Sequence, residues 1–373
     1  MRYTNIAFYT FILAFALFAA GCVKPYEPPE VLNASSLLVV DGLVQAGGQT
    51  TIRLSRTRRL TGGDTAVKET GARLEIEGGG ARYPLTETAA GTYTAAALPL
   101  QTGTGYRLLI RTAGGVDAAS EFVTVKQTPP IERLYWEQED GFASIYIDTR
   151  DPQNNTRYYR WDFEETWEYR AFFEAVFRRK EDSIVARTPD EMRYVCWRTD
   201  PAPNILLGVS TSLTQDVVQR KLITRIKTAT PKMAERYSIL VRQYALSREA
   251  FDYWQILQKN TEQRGSLFDA QPAQLRGNIQ NLSNPDEPVV GFLSISSVAE
   301  QRIFIKRAEI VDGYKAESVC SVQIVPGDSA VYYLKRLQLE PAYFITGGGL
   351  AITRSSCVDC TEQGGVTSKP SFW

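Results

Sequence analysis

The chain has 373 residues, room for two or three domains, and its 42 Lys and Arg balance 42 Asp and Glu. That balance argues against nucleic-acid binding, which relies on an excess of positive charge on one face. Histidine is absent, which removes Ser-His-Asp and Cys-His nucleophilic chemistry and zinc sites with imidazole ligands.

Arg2 precedes an apolar run from Ile6 to Ala20. At about 15 residues it has the length of a signal-peptide core and falls short of the roughly 20 that a membrane span needs. It ends in Ala19-Ala20-Gly21-Cys22. Small residues directly before a cysteine resemble the lipobox of bacterial lipoproteins, in which that cysteine is diacylated and becomes the mature N-terminus. Ala19 stands where an aliphatic residue is usual. We expect a signal peptide over 1–21 and membrane attachment through lipid on Cys22, not a span. Residues 22–35 contain Pro25, Pro28 and Pro29 and read as a stiff tether.

From 36 to 128 the pattern is short, strand-like and punctuated by glycine. Thr51-Ile52-Arg53-Leu54-Ser55 and Arg73-Leu74-Glu75-Ile76-Glu77 alternate apolar and polar residues, as half-buried strands do. Gly78-Gly79-Gly80 supplies a turn, and Gly91-Thr92-Tyr93-Thr94, Gly105 to Ile110 and Glu121 to Val125 continue the rhythm. About seven short strands with turn signals every eight to twelve residues predict an immunoglobulin-like or carboxypeptidase-regulatory-like β-sandwich. Pro129-Pro130 marks the boundary.

Residues 131–373 read as a larger β-rich domain. Tyr158 to Tyr169 predicts one long strand, with Tyr159, Trp161 and Phe163 on a buried face and Arg160, Asp162 and Glu164 on a wet one. Asp151-Pro152-Gln153-Asn154-Asn155 reads as a turn, since it lacks the spacing and glycine of a calcium loop. Further strands are expected at Tyr194–Trp197, Asn204–Val209, Arg236–Tyr244, Gly291–Ile295 and Gln301–Lys306. One helix, 248–263, is predicted, capped by Ser247 and closed by Gly265, with Ala250, Phe251, Trp254 and Leu257 as its core stripe. The tail to Trp373 reads as irregular and cystine-held.

With Cys22 carrying lipid, Cys196, Cys320, Cys357 and Cys360 remain, an even number that suggests two disulfides in an exported chain. Cys357-Val358-Asp359-Cys360 has no second C-x-x-C to complete a zinc site and no following helix signal of a redox pair. We expect Cys320 to pair with one of its cysteines and Cys196 with the other.

No residue earns a catalytic assignment, and no metal or cofactor is expected. Glu164, Glu165 and Glu168 are the densest acid cluster, but Glu164 and Glu165 project from opposite faces of a strand, so they cannot form a glycosidase pair. Gly347-Gly348-Gly349 lacks the Lys-Ser/Thr of a phosphate loop. Exposed members of the set Trp136, Trp161, Trp167 and Trp197 are the binding candidates, because indole rings offer flat faces to sugars and peptides.

Several segments together resemble a known family: Cys22, Leu37 to Gly42, Asp151-Pro152-x-Asn154-Asn155-Thr156-Arg157-Tyr158-Tyr159-Arg160-Trp161, Tyr237 to Leu246, Gly265 to Asp269, Gly277-Asn278-Ile279 and Cys357 to Thr361. They look like those of the Bacteroidota lipoproteins called domain of unknown function 4249, over essentially the whole mature chain. The resemblance implies an exported lipoprotein, often encoded beside a TonB-dependent outer-membrane receptor, with no established activity and no catalytic residue to carry over. The expected function is that of a non-catalytic outer-membrane accessory protein, periplasm-facing or surface-exposed, binding such a receptor or its ligand. The alternatives are a structural or assembly lipoprotein with only protein partners and, last, a carboxylate hydrolase acting on glycans or peptides.

Overall fold

The computed structural model describes residues 36–57, 67–262, 275, 277–315 and 320–373. The signal peptide, Cys22, the tether 22–35 and the Gly265–Asp269 motif lie outside the described residues. The chain is mainly β, and among the described residues no helix is long and apolar enough to cross a membrane.

Nine strands form a nearly closed, barrel-like first sheet. Their order is Ile279–Asn281, Asp117–Ser120, Gly105–Arg111, Arg73–Gly78, Ala81–Ala89, Thr92–Ala95, Thr50–Arg56, Leu38–Gln45 and Val290–Gly291. Alternation sets the inner face: Ile52 and Leu54, Leu74 and Ile76, and Leu108 and Ile110 are all buried in one cluster. The Gly79-Gly80 turn joins Arg73–Gly78 to Ala81–Ala89, both glycines having positive φ.

The two ends of this path come from far downstream, so the sheet is not completed by residues 36–128 alone. Leu38–Gln45 pairs in parallel with Val290–Gly291 and with Ser294–Ser296. The Asn278 side chain spans the seam as a strand neighbour would: Nδ2 donates to the Leu293 carbonyl at 3.0 Å and Oδ1 accepts from the Leu293 N–H at 2.8 Å. Close approach requires glycine here, because a Cβ on Gly277 would lie 1.6 Å from the Gly291 carbonyl oxygen.

The second body is two sheets packed face to face. One orders Ile131–Glu139, Phe142–Asp151 and Asp216–Lys227, and the other Val195–Pro201, Tyr158–Arg170, Arg236–Leu246 and Val298–Lys306. Ile145 and Ile147 from the first meet Trp161, Phe163, Ile239 and Val241 from the second. The strand Asp216–Lys227 was not expected, because Arg220 at φ 50° and two register shifts interrupt its alternation.

The boundary segment is stitched into both bodies. Thr128 N–H donates to Ser297 Oγ at 2.9 Å and its hydroxyl accepts from the Ala245 N–H at 3.0 Å. The carbonyl of Pro129 accepts from Gln243 Nε2 at 2.9 Å. The predicted helix is Arg248–Glu262, starting where Ser247 Oγ accepts the Ala250 N–H at 3.1 Å. Its Phe251 ring sits 5.1 Å from that of Tyr158, on the outer face of the second sheet.

The tail corrects the expectation of irregular chain. Gln323–Pro326, Gly349–Thr353 and Glu340–Ile345 form a three-stranded sheet covered by a second helix, Ala330–Leu337. Val325, Leu334, Leu350 and Ile352 make a core of their own. Disulfides join Cys196 to Cys360 and Cys320 to Cys357, each with Cα atoms 5.8 Å apart. The first ties this lobe to the edge strand Val195–Pro201, where Trp197 and Val366 also exchange backbone hydrogen bonds.

Candidate functional site

A groove of about 1420 Å³ opens where the two bodies meet. Its floor is the connecting segment from Glu121 to Pro130, and one wall is the turn Asp151–Thr156. The other wall is the helix face bearing Glu249, Asp252, Tyr253 and Ile256, with Asn278 and Phe292 at one end. Positions 249, 252, 253 and 256 recur at helical spacing, so one face supplies the whole wall.

The turn is rigid for a local reason. The Asp151 carboxylate accepts three backbone N–H bonds, from Gln153 at 2.9 Å and from Asn155 and Thr156 at 2.8 Å. Asn154 adopts positive φ and its Oδ1 accepts the Asp216 N–H at 2.6 Å. Asp151 is therefore occupied in shaping the wall, as the turn reading anticipates.

The exposed aromatic ring at the groove is that of Phe122, whereas Tyr253 is 8% exposed. Phe122 is 60% exposed on the floor, and the Tyr253 ring lies 5.1 Å from Phe292. Burial pushes the Tyr253 phenol up to about 12, with the Asp41 carboxylate adding to the effect. Glu249 is held below the usual carboxylate range, first by its own backbone N–H, then by the Ser247 hydroxyl, with Lys126 adding its charge. The arrangement can hold a ligand through ring faces and carboxylates.

A second cleft, about 460 Å³, lies between the outward face of the hairpin Leu38–Gln45/Thr50–Arg56 and the outer face of the second sheet. The Arg160 guanidinium lies over the rings of Tyr244, at 4.6 Å, and Trp254, at 4.2 Å. Asp162 accepts from Arg160 at 3.1 Å and from the Tyr244 hydroxyl at 2.7 Å. Burial raises the Tyr244 phenol, and the Asp162 charge raises it further.

The tryptophans chosen from sequence are not brought together as a surface. Trp161 is 1% exposed and donates its indole N–H to Gln243 Oε1 at 2.8 Å. Trp167 is buried too, under the Lys232 ammonium at 4.6 Å. Both occupy odd positions of the strand Tyr158–Arg170 and so face inward. Neither presents a ring face to solvent. Trp136 and Trp197 are half-buried, Trp136 packing against the main core. Among the described residues the Trp197 indole N–H makes no hydrogen bond.

The acid cluster disperses as its alternation requires. Glu165 is buried and accepts from Lys232 Nζ at 2.5 Å and from the Tyr237 hydroxyl at 2.7 Å. Glu164, on the other face, stands 3.9 Å from Arg302, and Glu168 accepts the Trp373 indole N–H at 3.1 Å. The lining residues of both concavities went unrecognised in the sequence. Phe292, next to Gly291, was the readable signal.

These features define a mainly β protein whose two strand-built bodies meet at a helix-walled groove. The family model described as Domain of unknown function (DUF4249) matches residues 23–302, and the chain belongs to that family. Every lining residue of the groove and the cleft falls inside the match. No curated protein matches the chain. Among solved structures, chitinase ChiA74 from Bacillus thuringiensis aligns at 11% identity and a TM-score of 0.15, over 54% of this chain and 30% of that one. A superposition that poor carries no inference about fold or activity.

Proposed function

We propose that the protein is a non-catalytic accessory lipoprotein of the outer membrane, anchored through Cys22, that works beside a TonB-dependent receptor in nutrient uptake. In this reading the first body is a spacer of the immunoglobulin-like or carboxypeptidase-regulatory-like kind, and the groove receives the receptor or its ligand. The observation that carries it is the groove between the two bodies, with an exposed Phe122 on its floor. The apolar run ending at Cys22 supports export and lipid attachment.

The test is a mild-detergent pull-down of the tagged protein from native outer membranes, read by mass spectrometry. Stoichiometric recovery of a TonB-dependent receptor, lost in a Phe122→Asp variant, is the expected result. Recovery of envelope assembly factors instead would select the second reading, a structural lipoprotein with only protein partners. That reading is favoured by the exposed Tyr343 and Phe344 on the C-terminal lobe.

A further inference from the structure

We propose that the smaller cleft is a binding site for a small carboxylate-bearing ligand, separate from the groove. Its volume of about 460 Å³ falls within the range of small-molecule sites. Three guanidiniums line it, those of Arg53, Arg160 and Arg242. Among the described residues, the one hydrogen bond any of them makes is that from Arg160 Nη2 to Asp162. Arg242 has ion pairs of 3.6 Å to Asp162 and 3.4 Å to Glu300, and Arg53 one of 3.8 Å to Asp41. Those distances neutralise charge but leave most of the N–H groups without a protein acceptor among the described residues.

Position matters as much as number. Arg160 is clamped between the Tyr244 and Trp254 rings, so its plane is fixed before any ligand arrives. Ser294 lines the same cleft, and its hydroxyl is shielded from solvent with no hydrogen-bond partner among the described residues. A carboxylate accepts bidentate bonds from a guanidinium fork. Asp41 and Glu300 also line the cleft, so the rest of the ligand is expected to carry hydroxyl or ammonium donors. Sugar acids and amino acids share that chemistry.

The experiment is isothermal titration calorimetry on the full chain, with sodium D-glucuronate and L-glutamate as probes and D-glucose as the neutral control. At least one carboxylate is expected to bind and glucose to give no heat. Glucuronate alone assigns the site to sugar acids, glutamate alone to amino acids, and either supports the proposal. Arg242→Gln should weaken binding by about tenfold or more. Arg53→Gln, at an exposed side chain that cannot unfold the protein, should weaken it as well. The proposal is overturned if no carboxylate binds at up to about 10 mM. It is equally overturned if glucose binds as well as glucuronate, or if Arg53→Gln and Arg242→Gln proteins of unchanged melting temperature keep wild-type affinity.

Discussion

Gln243 is fully buried and joins three parts of the second body to the boundary segment. Its Oε1 accepts the Trp161 indole N–H at 2.8 Å, while Nε2 donates to the Pro129 carbonyl and to Thr149 Oγ1, both at 2.9 Å. Gln243→Leu keeps the volume and removes every partner. Thr149 retains its own bond to the Pro130 carbonyl at 3.1 Å, so two groups are orphaned, the indole N–H and the Pro129 oxygen. At about 1–3 kcal/mol for each buried unsatisfied group, the loss is about 2–6 kcal/mol. Trp161→Phe orphans Gln243 Oε1 and also leaves a void, so by itself it destabilises by a comparable amount. The double variant has neither the indole donor nor its acceptor, and its cost should fall short of the sum by about 1–3 kcal/mol. Urea unfolding of the purified chain, followed by far-UV circular dichroism and tryptophan fluorescence, measures all four corners of the cycle. Strict additivity, or a Gln243→Leu midpoint equal to wild type, would refute this account.

Replacing Cys196 and Cys360 by serine frees a loop of 164 residues, which the chain-entropy relation rates at about 5 kcal/mol. The same relation gives about 4 kcal/mol for Cys320 and Cys357, 37 residues apart, so the first pair should lower the urea midpoint more than the second. Gly277→Ala should open the seam of the first sheet, since its methyl would overlap the Gly291 carbonyl, and a wild-type melting curve would contradict the described closure. Glu191 is held at about 2, below its ordinary 4.5, first by its hydrogen bond with Arg178 and then by the Thr188 N–H. A depressed carboxylate stabilises the fold above its unfolded pKa, and that stabilisation is lost as pH falls from about 4.5 towards 2. Protection factors across 177–191, corrected for the intrinsic slowing of amide exchange in acid, should therefore fall through that window in the wild type, and an identical acid profile in Glu191→Gln would rule the contribution out.

The strand Tyr158–Arg170 was legible because its alternation holds over Tyr159–Glu164 and resumes at Trp167, and the same parity buries Trp161 and Trp167. Indole chemistry favours a ring-face role for those two, but strand parity decides burial and turns both inward. The seam of the first sheet was illegible for a different reason. Val39 pairs with Val290, and a parallel partner so distant in sequence leaves no turn or spacing between them to read. Gly277-Asn278-Ile279 stood out as a motif, yet only the fold shows that Asn278 substitutes for backbone there. The concavities were hidden because each is assembled from several separate segments. The helix Arg248–Glu262 shows how a local element serves both: successive residues on an α-helix diverge by about 100°, so Tyr253 faces the groove while Trp254 faces the cleft. The stripe read as a core face packs as one through Ala250, Phe251 and Trp254, while Tyr253, outside that stripe, brings the same helix to the groove.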